Sequence, residues 1–393
     1  MHKSTTFLLL LICAVTPAWA QRDLGSVDIV TMSKTIPVRV SADDPQLNSL
    51  VLEAFESHGR YRVLATGYTY DIRFSVAGPR EVRLDITKRD GEAVAAELVP
   101  GTSARNALLR AADIAVEKTN GLGLRGYFAS RITFIGRATG SPEVYESDLF
   151  FGDVRRITND HADALMPRWS PDGTKIIYTS YRHGAPDIYV IDLATNQLRT
   201  FASYKGTNIS ARYSPDGRRV AMVLTGSGSP EIWVSDASGH NPSRLTHTDT
   251  VKSSPCWSPD GGRLVFAQEP GPQLYVISAG GGGMQPIAAG FGNFCSEPDW
   301  SRADPDKIAF SFMRGGRFQI GVYSLSTGTA EQASKATFDG VEPSWLPDGR
   351  HLVYTARNSV TNRICILDTD TQRSTPVSPP SFGPALQASV LAR

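Results

Sequence analysis

The stretch Pro167-Arg168-Trp169-Ser170-Pro171-Asp172-Gly173 decides the fold, because it comes back. It returns as Ala211-Arg212-Tyr213-Ser214-Pro215-Asp216-Gly217 and as Pro255-Cys256-Trp257-Ser258-Pro259-Asp260-Gly261. A degraded copy reads Pro298-Asp299-Trp300-Ser301, and a fifth reads Pro343-Ser344-Trp345-Leu346-Pro347-Asp348-Gly349. From Trp169 the aromatic position recurs after 44, 44, 43 and 45 residues. A period of about 40–50 residues is the length of one four-stranded propeller blade.

Each unit repeats the same local chemistry. Ser-Pro-Asp-Gly is a β-turn: proline pre-sets φ at the second place and glycine is favoured at the fourth. An alternating apolar run follows, as in Lys175-Ile176-Ile177-Tyr178-Thr179, and reads as a strand. A third strand comes next, as in Asp187-Ile188-Tyr189-Val190-Ile191-Asp192. A short polar fourth strand such as Ser243-Arg244-Leu245-Thr246 suits an exposed blade edge. In blade 4 the segment Trp300 to Asp306 carries a longer turn in place of Pro-Asp-Gly.

Five starts and one split unit give six blades. The sixth is expected to take Arg131–Ile135 as second strand, Asp148–Asp153 as third and Val154–Thr158 as outer strand. Its inner strand is expected from the chain's far end, Gly383–Val390, with Leu386 in the tryptophan place. That pairing closes the ring and leaves no unpaired inner edge. The expected fold is therefore mainly β, a six-bladed propeller over 126–393 preceded by a small α/β domain over 21–125.

Within that first domain, Ile36–Val40 and Tyr61–Leu64 read as strands, and Asp71–Val76, Glu81–Lys88 and Ala93–Val99 as an antiparallel group. Asp44–Ser57 reads as a helix with Leu47, Leu50, Val51, Ala54 and Phe55 on one face. Ser103–Thr119 reads as a second, capped by Ser103 and stopped at Asn120-Gly121. Residues 1–20 read as a signal peptide: Lys3, an apolar Phe7–Val15, then Ala18-Trp19-Ala20. No apolar run reaches the roughly 20 residues of a membrane span. The chain is expected to be exported, and so to meet an oxidising compartment.

There Cys256, Cys295 and Cys365 allow one disulfide at most. A Cys256–Cys295 bridge and two buried reduced thiols are both compatible with the spacing. The net charge of +1 gives no footprint for nucleic acid or an anionic membrane. No Gly-x-Ser-x-Gly elbow, His-Glu-x-x-His helix or Cys-x-x-Cys pair occurs, so neither catalytic residues nor a metal or cofactor are expected. Asp160, His161 and Asp163 read as a solvated loop ahead of a metal site. The repeated tryptophans read as packing between blades ahead of a ligand platform. The loops running into the inner strands ring one mouth of the tunnel. Their small, polar and mildly apolar residues suit a protein contact.

The signal peptide, the α/β domain and six Trp-Ser-Pro-Asp-Gly blades, in that order, resemble the TolB family. The resemblance implies a periplasmic, non-enzymatic scaffold of the Tol–Pal system, linking the envelope layers for integrity and cell division. It implies that the mouth binds a peptidoglycan-associated lipoprotein (Pal), with Thr207, Ser210 and Ser253 at matching positions. Asn208, Glu297 and Glu342, in the same loops, join them as candidate partner-binding residues. It also implies a contact of Gln21–Ile29 with the inner-membrane protein TolA, although that segment lacks the family's Asp-Ser-Gly-rich opening. Two other readings compete. One is a propeller enzyme or ligand-binding protein at the tunnel mouth, for which Glu297, Glu342 and His161 are the available groups. The other is a peptidase-type lid, for which no residues remain to build a hydrolase domain.

Overall fold

The computed structural model describes residues 35–292, 294–335 and 337–391. The leader and the Gln21–Ile29 segment lie outside the described residues. The α/β domain holds β1 (Ile36–Ala42), α1 (Pro45–Ser57), β2 (Tyr61–Val63), β3 (Tyr70–Gly78), β4 (Glu81–Lys88), β5 (Ala93–Pro100) and α2 (Ala104–Thr119). Its sheet runs in the order β2-β1-β3-β4-β5. β1 is parallel to β2 and β3, and the last three strands are antiparallel. Asp44 caps α1 by accepting from the Gln46 and Leu47 N–H groups, and Ser103 caps α2 by accepting from Asn106. Both are short polar side chains that satisfy the free donors of a first turn.

The rest is a ring of six four-stranded antiparallel sheets. Blades 1 to 5 have inner strands Ala164–Trp169, Asn208–Tyr213, Lys252–Trp257, Cys295–Trp300 and Asp339–Trp345. Blade 6 joins inner strand Ala385–Val390 to Arg131–Thr139, Ser141–Asp148 and Arg155–Arg156. Two details of that blade differ from the sequence reading. Its third strand is Ser141–Asp148, not Asp148–Asp153, because the hairpin turns at Gly140 and pairs Arg131 with Asp148. Phe150 and Phe151, which imitate strand residues, instead lie buried in the turn that follows. The tryptophan place is taken by Val390, not Leu386: Val390 pairs with Ile132 just as Trp345 pairs with Leu352. Pro384 precedes its strand whereas Pro343 lies within its own, so the place of Pro343 is taken by Ala388.

The repeat's residues lock the blades. In blade 1 the Ser170 hydroxyl donates to Asp172 Oδ1 at 2.5 Å and accepts from the Lys175 N–H. Gly173 N–H donates to Ser170 O at 2.9 Å, with Gly173 at φ 71°, a left-handed value that glycine adopts freely. Each indole then reaches across to the blade before it. Trp169 Nε1 donates to Ser389 O, Trp257 Nε1 to Arg212 O and Trp345 Nε1 to Asp299 O, at 3.0–3.2 Å. In blade 4 the longer turn diverts Trp300 Nε1 to its own Pro305 O.

The α/β domain shares one apolar core with blades 5 and 6. Phe55, Tyr61, Ala111 and Val116 are continuous with Tyr127, Phe128, Ile132, Phe134, Leu346, Val353 and Ile364. Arg105 of α2 donates to Asp148 Oδ2 of blade 6 at 2.9 Å. Two glycines allow the approach. A β-carbon on Gly126 would lie 2.1 Å from Asp113 Cβ, and one on Gly59 would lie 2.0 Å from Asp368 Oδ2 of blade 5.

Candidate functional site: the central tunnel

Every inner strand carries the same irregularity. Met166, Ser210, Ser254, Glu297, Glu342 and Gln387 sit at φ between 53° and 59°, one per blade, and the pairing register shifts there. None is glycine. A non-glycine residue held in this region costs on the order of 1–3 kcal/mol, and the surrounding sheet must impose it. The bulge turns all six side chains into the tunnel, where they line a common cavity with Arg168 and Arg212.

These side chains tie one blade to the next. Glu297 Oε2 accepts from the Glu342 N–H at 3.0 Å. Glu342 Oε2 accepts from the Gln387 N–H at 2.9 Å, and Gln387 Oε1 from the Met166 N–H at 2.8 Å. The Ser210 hydroxyl then donates to Met166 Sδ at 3.0 Å. Each glutamate also accepts from a hydroxyl at 2.6 Å, Ser311 for Glu297 and Thr355 for Glu342. Burial, then the charge of Glu297, pushes the Glu342 carboxyl above its ordinary range.

Two residues further along lies a second layer: Arg168, Arg212, Asp299, Ser344 and Ser389 face a cavity of about 180 Å³, with Arg125 and Arg302 nearby. Asp299 is its hub, pairing with Arg212 and accepting from the Trp345 N–H at 2.8 Å. Burial, then repulsion by Arg212, pushes the Arg168 guanidinium down to about 10. It remains charged at neutral pH.

The expected partner residues fall into three groups. Ser210, Glu297 and Glu342 line the tunnel. Thr207 and Ser253 are half-buried at the entrance, just outside it. Asn208 is wholly buried. Its amide donates to Asp187 Oδ1, Tyr204 O and Gly206 O and accepts from the Tyr204 N–H, so it shapes the loop that presents Thr207. Lys252, in the same loop set, is wholly buried and paired with Glu231. His161 does not join the tunnel carboxylates; its N–H donates to Glu143 on the flank. Asp160 is engaged by Tyr178, Ser180 and Arg182. Cys256, Cys295 and Cys365 are free and buried.

Sequence reasoning placed Met166 and Ser254 in the mouth loops without singling them out, and missed Gln387, Arg168, Arg212 and Asp299. The signal was present: each bulge residue stands three places before the aromatic position, and each second-layer residue one place before it.

Taken together, the six sheets and the side chains lining their axis define a six-bladed β-propeller. Residues 119–385, more than half of the chain, match the model of the TolB beta propeller domain. The chain belongs to the TolB family. It is 31% identical over 120 residues to the "Protein TolB homolog" of Chlorobaculum tepidum, covering 27% of this chain and 28% of that protein. It is 43% identical over 60 residues to the "Tol-Pal system protein TolB" of Desulfosudis oleivorans, covering 15% and 14%. The chain thus spans less than a third of the length of these curated relatives. TolB from Acinetobacter baumannii superposes with a TM-score of 0.79 at 23% identity, over 92% of this chain and 97% of that one. That likeness establishes the shared fold. Among the described residues no helix is long and apolar enough to cross a membrane.

Proposed function

We propose that this chain is a periplasmic binding module of a Tol–Pal type system, holding a peptidoglycan-associated lipoprotein at the open mouth of its tunnel. Family membership over residues 119–385 carries the reading. The mouth supports it: small polar residues stand around an opening that strained bulges keep in place, a rigid frame for a partner's side chains. Thr207, Ser210 and Ser253 are the proposed contacts, with Glu297 and Glu342 deeper in the tunnel and Asn208 bracing the loop. A contact of Gln21–Ile29 with TolA belongs to the same proposal. So does a role in relaying force between the inner membrane and the outer envelope during division. As a scaffold, the protein needs no reacting group.

Calorimetry of residues 21–393 against the cognate Pal tests this. Tight binding is expected, with a loss of at least tenfold in a Thr207→Arg/Ser253→Arg variant. An unchanged affinity in the variant would remove the mouth from the proposal. Absence of binding by the native chain would remove Pal.

The convergence of Glu297 and Glu342 favours a second reading, a ligand-binding or catalytic tunnel. Against it, both carboxylates already accept a hydroxyl and a neighbouring backbone N–H. Substrate turnover that disappears in Glu342→Gln would reverse that preference.

A further inference from the structure

Away from the tunnel, three side chains meet where the α/β domain touches blade 5. His58 ends α1. Asp348 and His351 belong to the Leu-Pro-Asp-Gly turn of blade 5 and the strand it starts. One ligand-capable atom from each lies within 4.8 Å of the other two. All three side chains are enclosed: His58 and His351 are 0% exposed, and so is the Asp348 side chain.

Hydrogen bonding within this cluster is incomplete in a particular way. Neither ring nitrogen of His58 has a partner. A buried imidazole with both nitrogens orphaned forfeits the interactions it had in water, and such groups call for a bound species. His351 is oriented from both sides. Its Nε2 donates to His58 O at 2.8 Å, because a carbonyl can only accept. Its Nδ1 therefore faces Asp348 Oδ2, 2.5 Å away, across one shared proton. An imidazole whose Nε2–H is fixed by a carbonyl has the outer-shell partner of a metal-bound histidine, and here its Nδ1 and the Asp348 carboxylate lie side by side as donors.

We propose that His58, Asp348 and His351 hold a divalent transition-metal ion, zinc by the character of the donors, that pins the α/β domain to blade 5. The ion replaces the proton shared by His351 Nδ1 and Asp348 Oδ2, and that proton leaves to solvent. Two imidazoles and one carboxylate are a common zinc set, and they leave a four-coordinate ion one further position. Enclosure makes the ion structural: it loads as the two parts of the chain come together, and its binding energy adds to folding. Sequence motifs do not show such a site, because His58 and His351 are 293 residues apart.

The test refolds the whole mature chain from denaturant in chelator-treated buffer, with and without zinc. The native chain is expected to keep one zinc per molecule through gel filtration, counted by mass spectrometry of the metal, and to unfold at a higher temperature than its metal-free form. His58→Phe keeps a ring among Tyr61, Tyr127 and Phe128 but has no lone pair to give. It is expected to keep less than a tenth of an equivalent and to show no zinc-dependent rise. A native chain that retains no zinc overturns the proposal, and so does a folded His58→Phe that retains as much as the native chain. Should that variant not refold, cobalt substitution of the native chain decides. Intense visible bands of a four-coordinate nitrogen and oxygen site support the proposal, and the weak spectrum of hydrated cobalt refutes it.

Discussion

The same six strands build both ends of the tunnel, yet the two ends are held by different physics. Where the inner strands finish, blades 5 and 6 merge with the α/β domain through aromatic packing, glycine-permitted close approach and the Arg105–Asp148 pair. Where the strands begin, the bulge side chains face the tunnel and not an apolar core. Order comes instead from side chains passing hydrogen bonds from Glu297 to Glu342, Gln387 and Met166. The first end resists change because its contacts are buried and mutual. The second can vary its exposed residues freely, provided the bulge that aims them survives. A repeat protein can in this way fix its frame with one part of the motif and leave another part free to vary.

Perturbing each end should expose this difference. The largest loss is expected at the domain junction. Phe128→Ala empties a wholly buried site between Phe55, Tyr127 and Phe150 and should cost about 3–5 kcal/mol in urea unfolding. Survival of most of the native stability would mean that the two domains are only loosely joined.

Next comes a pH effect at the same junction. Burial pushes the Asp113 carboxyl up to about 7, against the pull of the Phe128 and Ala129 N–H groups that it accepts. Its folded value lies above its unfolded value, so its contribution is whole below about pH 4 and lost as pH rises through about 7. Asp113→Asn should remove roughly 2–4 kcal/mol of the fall in stability between pH 4 and 8. A variant whose stability follows pH as the native chain's does would show that Asp113 ionises normally.

In the tunnel's second layer, Asp299→Asn leaves Arg212 without its partner. The expected cost is about 2–3 kcal/mol, below the usual range for a buried pair because Arg212 retains some contact with solvent. A neutral outcome would mean that the tunnel is wet enough to solvate the guanidinium. Smallest of all is the entrance itself: Thr207→Arg and Ser253→Arg should each alter stability by less than about 0.5 kcal/mol. A large loss there would place those residues in the frame and take them out of the recognition surface.

What the sequence made legible follows from which interactions are local. The Trp-Ser-Pro-Asp-Gly units could be read because turn chemistry and alternation are decided within a few residues, and the caps at Asp44 and Ser103 for the same reason. Blade 6 was legible as a split unit but not in register. Pro384 stands before the last strand while Pro343 lies within its own, so aligning the two prolines put Leu386 where Val390 belongs, and Phe150 and Phe151 are apolar because they pack on Phe128 and on Phe134 and Phe382, not because they alternate in a strand. At the mouth, the glutamates were found by their loops. Gln387 was not, because its strand was aligned on Leu386 and so read out of register. Asn208 looked like a surface contact because its loop is polar, while its amide faces inward. The triad at the domain junction depends on a contact across almost the whole chain, beyond the reach of any local pattern.

The split blade also bears on how the molecule comes into being. Five sheets can form from consecutive segments as the chain emerges, each needing only about 40 residues. The sixth waits: Ile135 finds Leu386 and Ile132 finds Val390 only after every intervening blade is in hand. Closing so long a loop is slow, because the entropy is lost before the contact rewards it. Until that clasp is fastened, a half-made annulus exposes two sticky flanks, one on blade 5 and one on the waiting hairpin. The vulnerable moment in this protein's life is therefore its last folding step, and the short strand Ala385–Val390 governs how long that moment lasts.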